Sequence, residues 1–456
     1  MVRQNQLGEE KISSLLLKFS IPAIVGMLVN SLYNIIDRMF IGRIPEVGNL
    51  AIAGIGITMP ISTIILGFGM LVGIGTAATI SIKMGQGKKD EAEKILGNAF
   101  SLIIIISLTI TAIGLIFGEN ILSLFGASQN TLGFAQDYMQ IIFIGTIFNM
   151  LSFGLTHTIR ASGSPTVAMC SMLIGAIVNI ILDPIFIFKL GMGIKGGAIA
   201  TVIAQICSAT WGVSFFLRGK ANLKVKVKNF KLKTQYIKSI FAIGMSPFSM
   251  QVAASVVQVI SNNALKTYGG DVAIGAMTII NSISMIFLMP IFGLNQGMQP
   301  IVGYNYGARK FKRVREAIKY PQIIAVCIGT IGFLLVQFVP DILIKAFNSD
   351  PDLLATTEKG MRIFLFMLPL VGMQIIRTNY FSSIGKAKKS MFLSLLRQVI
   401  LLIPCLIILP EFLGLTGVWL AGPTSDLVSV IITTIMFRHE VRELKEENVQ
   451  VNTASI

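Results

Sequence analysis

The sequence predicts an all-α membrane protein: twelve transmembrane helices in two six-helix bundles related by a pseudo-two-fold axis along the membrane normal. Three observations carry that expectation: an apolar composition, the spacing of long apolar runs, and an internal repeat. The 456 residues are 53% hydrophobic and only 13% charged. A soluble domain carries about a quarter charged residues, so most of this chain has no water to face.

A helix crossing the hydrocarbon needs about 20 mostly apolar residues. Such runs fall near 15–38, 50–80, 95–117, 133–160, 165–188, 197–217, 237–263, 272–300, 316–339, 360–383, 390–410 and 415–437. They lack the alternation of a barrel strand, and lipid cannot satisfy an open backbone, so helices are the remaining form. Pro22, Pro60, Pro184 and Pro247 lie inside these runs, where membrane helices tolerate them.

An even number of spans puts both termini on one side. Twenty-eight of the 38 Lys and Arg residues fall at the termini and in every second loop, with eight between Arg218 and Lys238 and six between Arg309 and Lys319. The opposite loops hold Arg43, Lys189, Lys195, Lys266, Lys345, Lys359 and Arg362. The positive-inside rule then places both termini and the basic linker 219–236 on the cytoplasmic side. The net charge of +16 thus describes orientation, and nucleic acid is not an expected partner. Membrane lipid is one, because a polybasic segment can attract anionic headgroups. The simpler role for the linker is to set topology while lying on the membrane surface. No cleavable signal peptide is expected, since Met1 to Lys11 is polar and no small-residue cleavage site follows.

Shifting the chain by 222 residues superposes its halves. Gly75 falls on Gly297, Gly85 on Gly307, Lys88 on Lys310 and Gly163 on Gly385. Six spans per half is an even number, so the repeats share one orientation. The expected division is 1–218 for the N-lobe, 219–236 for the linker, 237–440 for the C-lobe and 441–456 for a cytoplasmic tail. Transporters bind substrate between such lobes and rock between two access states.

Other chemistries find little material. Cys170, Cys207, Cys327 and Cys405 sit in apolar segments without paired spacing, which excludes a disulfide framework or a thiolate metal site. His157 and His439 are isolated. Neither a catalytic triad, an H-E-x-x-H pair nor a Walker loop is present, so no enzyme and no cofactor are expected. Transport must draw on an ion gradient or run passively.

Polar groups inside spans are costly and face a cavity or a partner. In the first span Asn30, Asn34 and Asp37 share a helical face; in the fifth, Asn179 and Asp183 are four apart, with Pro184 following. Thr201, Gln205 and Ser208 share a face in the sixth span, and Asn149, Ser152, Thr156 and Arg160 in the fourth. Carboxylate, amide and hydroxyl oxygens together suit Na⁺ or a proton. The second half is polar but poor in acids. Met27, Asn30, Asn34, Asn149, Ser152, Gln251, Ser255, Asn281 and Gln296 are the expected lining of a substrate cavity. For the amides and hydroxyls taken singly, interhelical hydrogen bonding is the better reading.

The stretches Tyr33–Gly42, Asn179–Phe188, Arg160–Pro165 and Gly293–Gly307 resemble the MATE (multidrug and toxic compound extrusion) family, most closely its bacterial multidrug-export branch. The resemblance covers essentially the whole chain. It implies a V-shaped pair of six-helix lobes, monomeric, exporting organic cations and drugs in exchange for H⁺ or Na⁺. It also implies that the coupling ion binds Asp37, Asn179, Asp183 and Thr201. One departure is informative. A branch of the family has a membrane-embedded Glu eight residues after the proline of the seventh span, where this chain has Ser255 after Pro247. The corresponding C-lobe cation site is expected to be absent. A flippase of lipid-linked or other amphiphilic metabolites on the same fold is the alternative, and would need a strongly cationic cavity.

Overall fold

A computed structural model of the chain describes residues 6–44, 48–218, 221–345 and 351–454. Arg3 of the expected cytoplasmic N-terminus, Gly219 and Lys220 of the linker, and the last two residues of the tail lie outside the described residues.

Eleven helices are long and apolar enough to span a membrane, and one bent pair makes a twelfth. They are α1 (Ile12–Gly42), α2 (Gly48–Gly85), α3 (Lys89–Leu124), α4 (Gln129–Ala161), α5 (Pro165–Pro184), α6 (Gly193–Leu217), α7 (Thr234–Gly270), α8 (Val272–Gly307), α9 (Phe311–Phe338), α10 (Leu353–Phe364 with Leu368–Ser383), α11 (Ala387–Leu413) and α12 (Leu415–Leu444). No strand occurs among the described residues.

Local chemistry sets the boundaries. Ser128 caps α4: its backbone N–H donates to Thr131 Oγ1 at 3.0 Å while the two hydroxyls pair. α7 and α8 are parted by a single non-helical residue, Gly270, at φ 64°, a conformation that glycine adopts without steric cost. The two segments of α10 meet at 50°, and Pro369 in the first turn of the second cannot donate back across the break. α12 continues as helix to Ala454. The polar tail expected from 441 is therefore a helical extension, since nothing between Phe437 and Ala454 breaks a helix.

The two lobes interlock at the end that carries the basic loops. Leu15, Leu16 and Phe19 of α1 are buried in the C-lobe core beside Met298, Ile301 and Val314. Tyr236 and Ile240 of α7 are buried in the N-lobe core beside Ile95 and Ile159. Glycines let the crossing helices touch backbone to backbone. A Cβ at Gly75 would overlap the Ile240 carbonyl oxygen, and one at Gly244 that of Leu71. Gly297 lies equally close to Ser20, and Gly293 to Ile24. These are the same contacts made twice, α2 with α7 and α8 with α1, as a two-fold repeat requires.

Farther from the basic end the last links are Gly67 against Phe248 and Gln251, and Gln296 Nε2 donating to Met27 Sδ at 3.0 Å. Toward the opposite end, among the described residues, no hydrogen bond, ion pair or glycine contact joins the lobes.

Candidate functional site

The polar face of α1 is organised by a local pair: Asn34 Nδ2 donates to the Asn30 carbonyl at 2.7 Å and to Asn30 Oδ1 at 3.1 Å. One turn farther on, Asp37 turns into the N-lobe and is buried, while its neighbour Arg38 is exposed. On α5, Asn179 and Asp183 follow one another by one helical turn and point inward. Asn179 Nδ2 donates to Asp183 Oδ1 at 3.1 Å and reaches Thr201 Oγ1 of α6 at 3.4 Å. The carboxyl groups of Asp37 and Asp183 lie close enough to act on each other electrostatically. Four residues from three helices thus converge.

Their burial decides the chemistry. Asp183 is 0% exposed, Asn179 1% and Asp37 9%. Asp37 Oδ1, Asn179 Oδ1 and Asp183 Oδ2 are buried and receive no donor from the protein. Two carboxylates facing each other out of water repel, and a proton or cation between them relieves that repulsion. The three oxygens are hard donors, suited to H⁺ or Na⁺. No cluster of three or more His, Cys, Asp or Glu residues able to hold a metal ion occurs among the described residues.

The surroundings make the convergence possible. Past Pro184 the chain widens into a π turn, Ile185–Lys189, a feature frequent at functional sites. Gly196 of α6 packs its Cα onto the Phe186 backbone there; an added Cβ would lie 2.7 Å from the Phe186 carbonyl. A Cβ at Gly197 would lie 3.1 Å from Ile41 Cδ1 and 3.6 Å from Asp37 Oδ1. Tyr33 of α1 and Tyr138 of α4 stand close enough to feel both aspartates. Sequence reasoning passed over both tyrosines. Tyr33 was visible, one turn before Asp37 on the same face; Tyr138 has no sequence signal.

The remaining candidates are dispersed. Met27 and Gln296 meet across the lobes, and Gln251 lies beside Gly67 where α2 passes α7. Ser152 donates to Ser208 Oγ at 2.7 Å, part of a knot with Ser171 that ties α4, α5 and α6 together. Asn149 is half-buried, Ser255 is buried and Asn281 is exposed.

The C-lobe holds an acid that the sequence reading missed. Asp426 of α12 accepts from Arg397 Nε of α11 at 2.7 Å, and Ser425 Oγ donates to the Arg397 carbonyl at 2.7 Å. Arg397 lies in a second π stretch, Leu396–Leu402. Its signal was an aspartate within the apolar run Val418–Ile432. Arg377 is likewise committed, donating to Gln322 Oε1 and Thr434 Oγ1.

The MatE family profile matches residues 22–185 and 247–407, once in each lobe. The chain is 30% identical over 412 residues to the multidrug export protein MepA of Staphylococcus haemolyticus (strain JCSC1435), covering 90% of each. It is 28% identical over 405 residues to MepA of Staphylococcus aureus (strain MSSA476), covering 88% of each. Its fold superposes on the outward-facing structure of a multidrug resistance MATE family transporter of the MOP superfamily with a TM-score of 0.90 at 23% identity, over 97% of this chain and 99% of that one. A MOP superfamily transporter from Pyrococcus furiosus superposes with a TM-score of 0.91 at 24% identity, over 97% and 99%. With both halves matched and the two-lobe helical architecture in place, the chain belongs to the MATE family of membrane transporters.

Proposed function

We propose that this transporter exports organic cations and drugs from the cytoplasm in exchange for H⁺ or Na⁺. The coupling ion is held by Asp37 and Asp183, with Asn179 and Thr201 completing the site. The observation that carries the reading is the convergence of two buried carboxyl groups and the Asn179 amide, which together leave three oxygens without donors.

The basic loops orient the molecule. With that end on the cytoplasmic side of a bacterial inner membrane, the interlobe contacts close the cytoplasmic side, as an outward-facing state requires. An outward-facing N-lobe takes up H⁺ or Na⁺ from outside. The bound ion removes repulsion between Asp37 and Asp183 and lets α1, α5 and α6 draw together. Cargo held against the N-lobe is then released, and by reciprocity cargo binding weakens ion binding by the same factor. The MepA relatives are multidrug exporters by name, which supports the same class of cargo here.

The flippase alternative needs free intramembrane cations for a pyrophosphate. Arg397 is neutralised by Asp426, which favours the drug-cation reading, whereas Arg377 meets only the neutral Gln322 and Thr434 and keeps its charge. The test is ethidium efflux from cells making Asp183→Asn. Efflux is expected to vanish while the protein stays in the membrane; undiminished efflux would remove the site assignment.

A further inference from the structure

The linker between the lobes is not a loose tether. It is built onto the basic end of the N-lobe. Asn98 of α3, 1% exposed, donates through Nδ2 to the carbonyls of Asn229 at 3.1 Å and Lys231 at 3.3 Å, while its Oδ1 accepts from the Lys233 N–H at 2.8 Å. Ser101 Oγ donates to the Phe230 carbonyl at 2.7 Å, and the Phe230 ring stacks on Phe100. Gly97 leaves room for the Asn229 backbone.

This docking shapes a cavity of about 210 Å³, lined by Lys94, Lys228, Lys231 and Lys233 together with Asn98 and Tyr236. No acid lines it. The nearest buried acid, Glu93, is already used: its Oε1 accepts from the Lys224 N–H at 3.1 Å and its Oε2 meets Lys226 Nζ at 2.5 Å. Among the described residues the four lysines of the cavity form no ion pair. Asp90 is exposed at the start of α3 and acts on Lys226. A cavity of this size is below the ~300 Å³ of a drug-sized pocket, and four lysines around it on a fixed backbone suit a compact anion.

We propose that this lysine pocket binds the phosphate group of an anionic lipid headgroup at the membrane surface. The phosphate chemistry could equally be met by a free ion, but two features favour lipid. Lys94 lies in the second turn of α3, just before the expected span 95–117, and Tyr236 in the first turn of α7, so the pocket sits where spans leave the hydrocarbon. Val227 and Leu232, on either side of the docked lysines, are 82% and 38% exposed. Apolar side chains among lysines at that depth belong in the acyl boundary of a membrane interface. A bound headgroup would pin the segment that covalently joins the lobes. The assignment does not depend on the coupling site.

The test uses the full chain in mild detergent, with native mass spectrometry counting bound dioctanoylphosphatidylglycerol against dioctanoylphosphatidylcholine. Lys228, Lys231 and Lys233 are exposed, so a Lys228→Gln/Lys231→Gln/Lys233→Gln variant should fold. The wild type is expected to prefer the anionic lipid, and the variant to bind it roughly tenfold or more weakly. Excess inorganic phosphate should fail to displace the lipid, and Val227→Ser should weaken lipid binding. Equal binding of the two lipids, or an unaffected triple variant, overturns the pocket. Full displacement by inorganic phosphate overturns the lipid as its source.

Discussion

Gly85 on α2 and Tyr304 on α8 pack so closely that a Cβ at Gly85 would overlap the Tyr304 carbonyl oxygen, and the repeat partner Gly307 meets Ile82 in the same way. This seam holds the lobes together at the basic end. Gly85→Val should pry it apart. Overpacking of this kind costs roughly 1–3 kcal/mol, enough to change the balance between access states by roughly tenfold or more. Spin labels at Lys88 and Arg309 should report a longer distance in the variant, with efflux impaired. An unchanged distance would mean the glycine contact does not set the closed end.

Gly197 governs how near α6 comes to Asp37. Gly197→Ala asks only the end of Ile41 to give way, and should keep most activity. Gly197→Val cannot be absorbed so easily and should displace Asp37 from Asp183. Membrane levels should hold while ethidium efflux falls at least severalfold, following the added volume. Equal efflux in the two variants would disconnect this glycine from the site.

The pair Arg397–Asp426 is predicted to be structural. Removing one partner of a fully buried ion pair costs about 3–5 kcal/mol. Arg397 keeps 31% side-chain exposure, so Arg397→Gln should cost less, roughly 1–3 kcal/mol. Adding Asp426→Asn should restore part of the loss. Thermal unfolding in detergent measures both; a double variant worse than the single one would contradict a paired role.

The linker's hold on α3 should be indifferent to pH near neutrality. Lys226 is raised above its ordinary 10.5 by its hydrogen bond to Glu93 and by that carboxylate's charge. A cation stabilised in the folded state keeps its full contribution below the ordinary value and loses it only as pH climbs through the raised one. Glu93→Gln removes the partner at any pH. Amide exchange at Lys224 should then quicken at pH 7 in the variant, while the wild type stays protected until strongly alkaline pH. Equal exchange in both would show that Glu93 does not anchor the linker.

Features written into single helices were legible in the sequence. The spans, their order and the 222-residue repeat follow from hydropathy and glycine spacing, because lipid leaves the backbone no other form. Asp37, Asn179 and Asp183 stood out because an acid or amide inside an apolar run is conspicuous wherever it packs. Contacts between distant segments were hidden. Nothing in the spacing of Asn98 tells that it fastens a linker more than a hundred residues away, nor that Tyr138 would stand beside two aspartates. The seam glycines were visible as repeat positions, but their partners were not. The bend in α10 was likewise concealed, since Pro369 inside a membrane run often leaves a helix straight enough to pass.

The central claim is that Asp37 and Asp183 exchange a bound ion for cargo. The direct test is ethidium affinity of the purified protein, titrated separately against pH and Na⁺, for the wild type and Asp183→Asn. Wild-type affinity is predicted to weaken as one of the two ions rises, and the variant to bind the dye with no such dependence. A wild type indifferent to both ions, or a variant that keeps the wild-type dependence, would contradict the account.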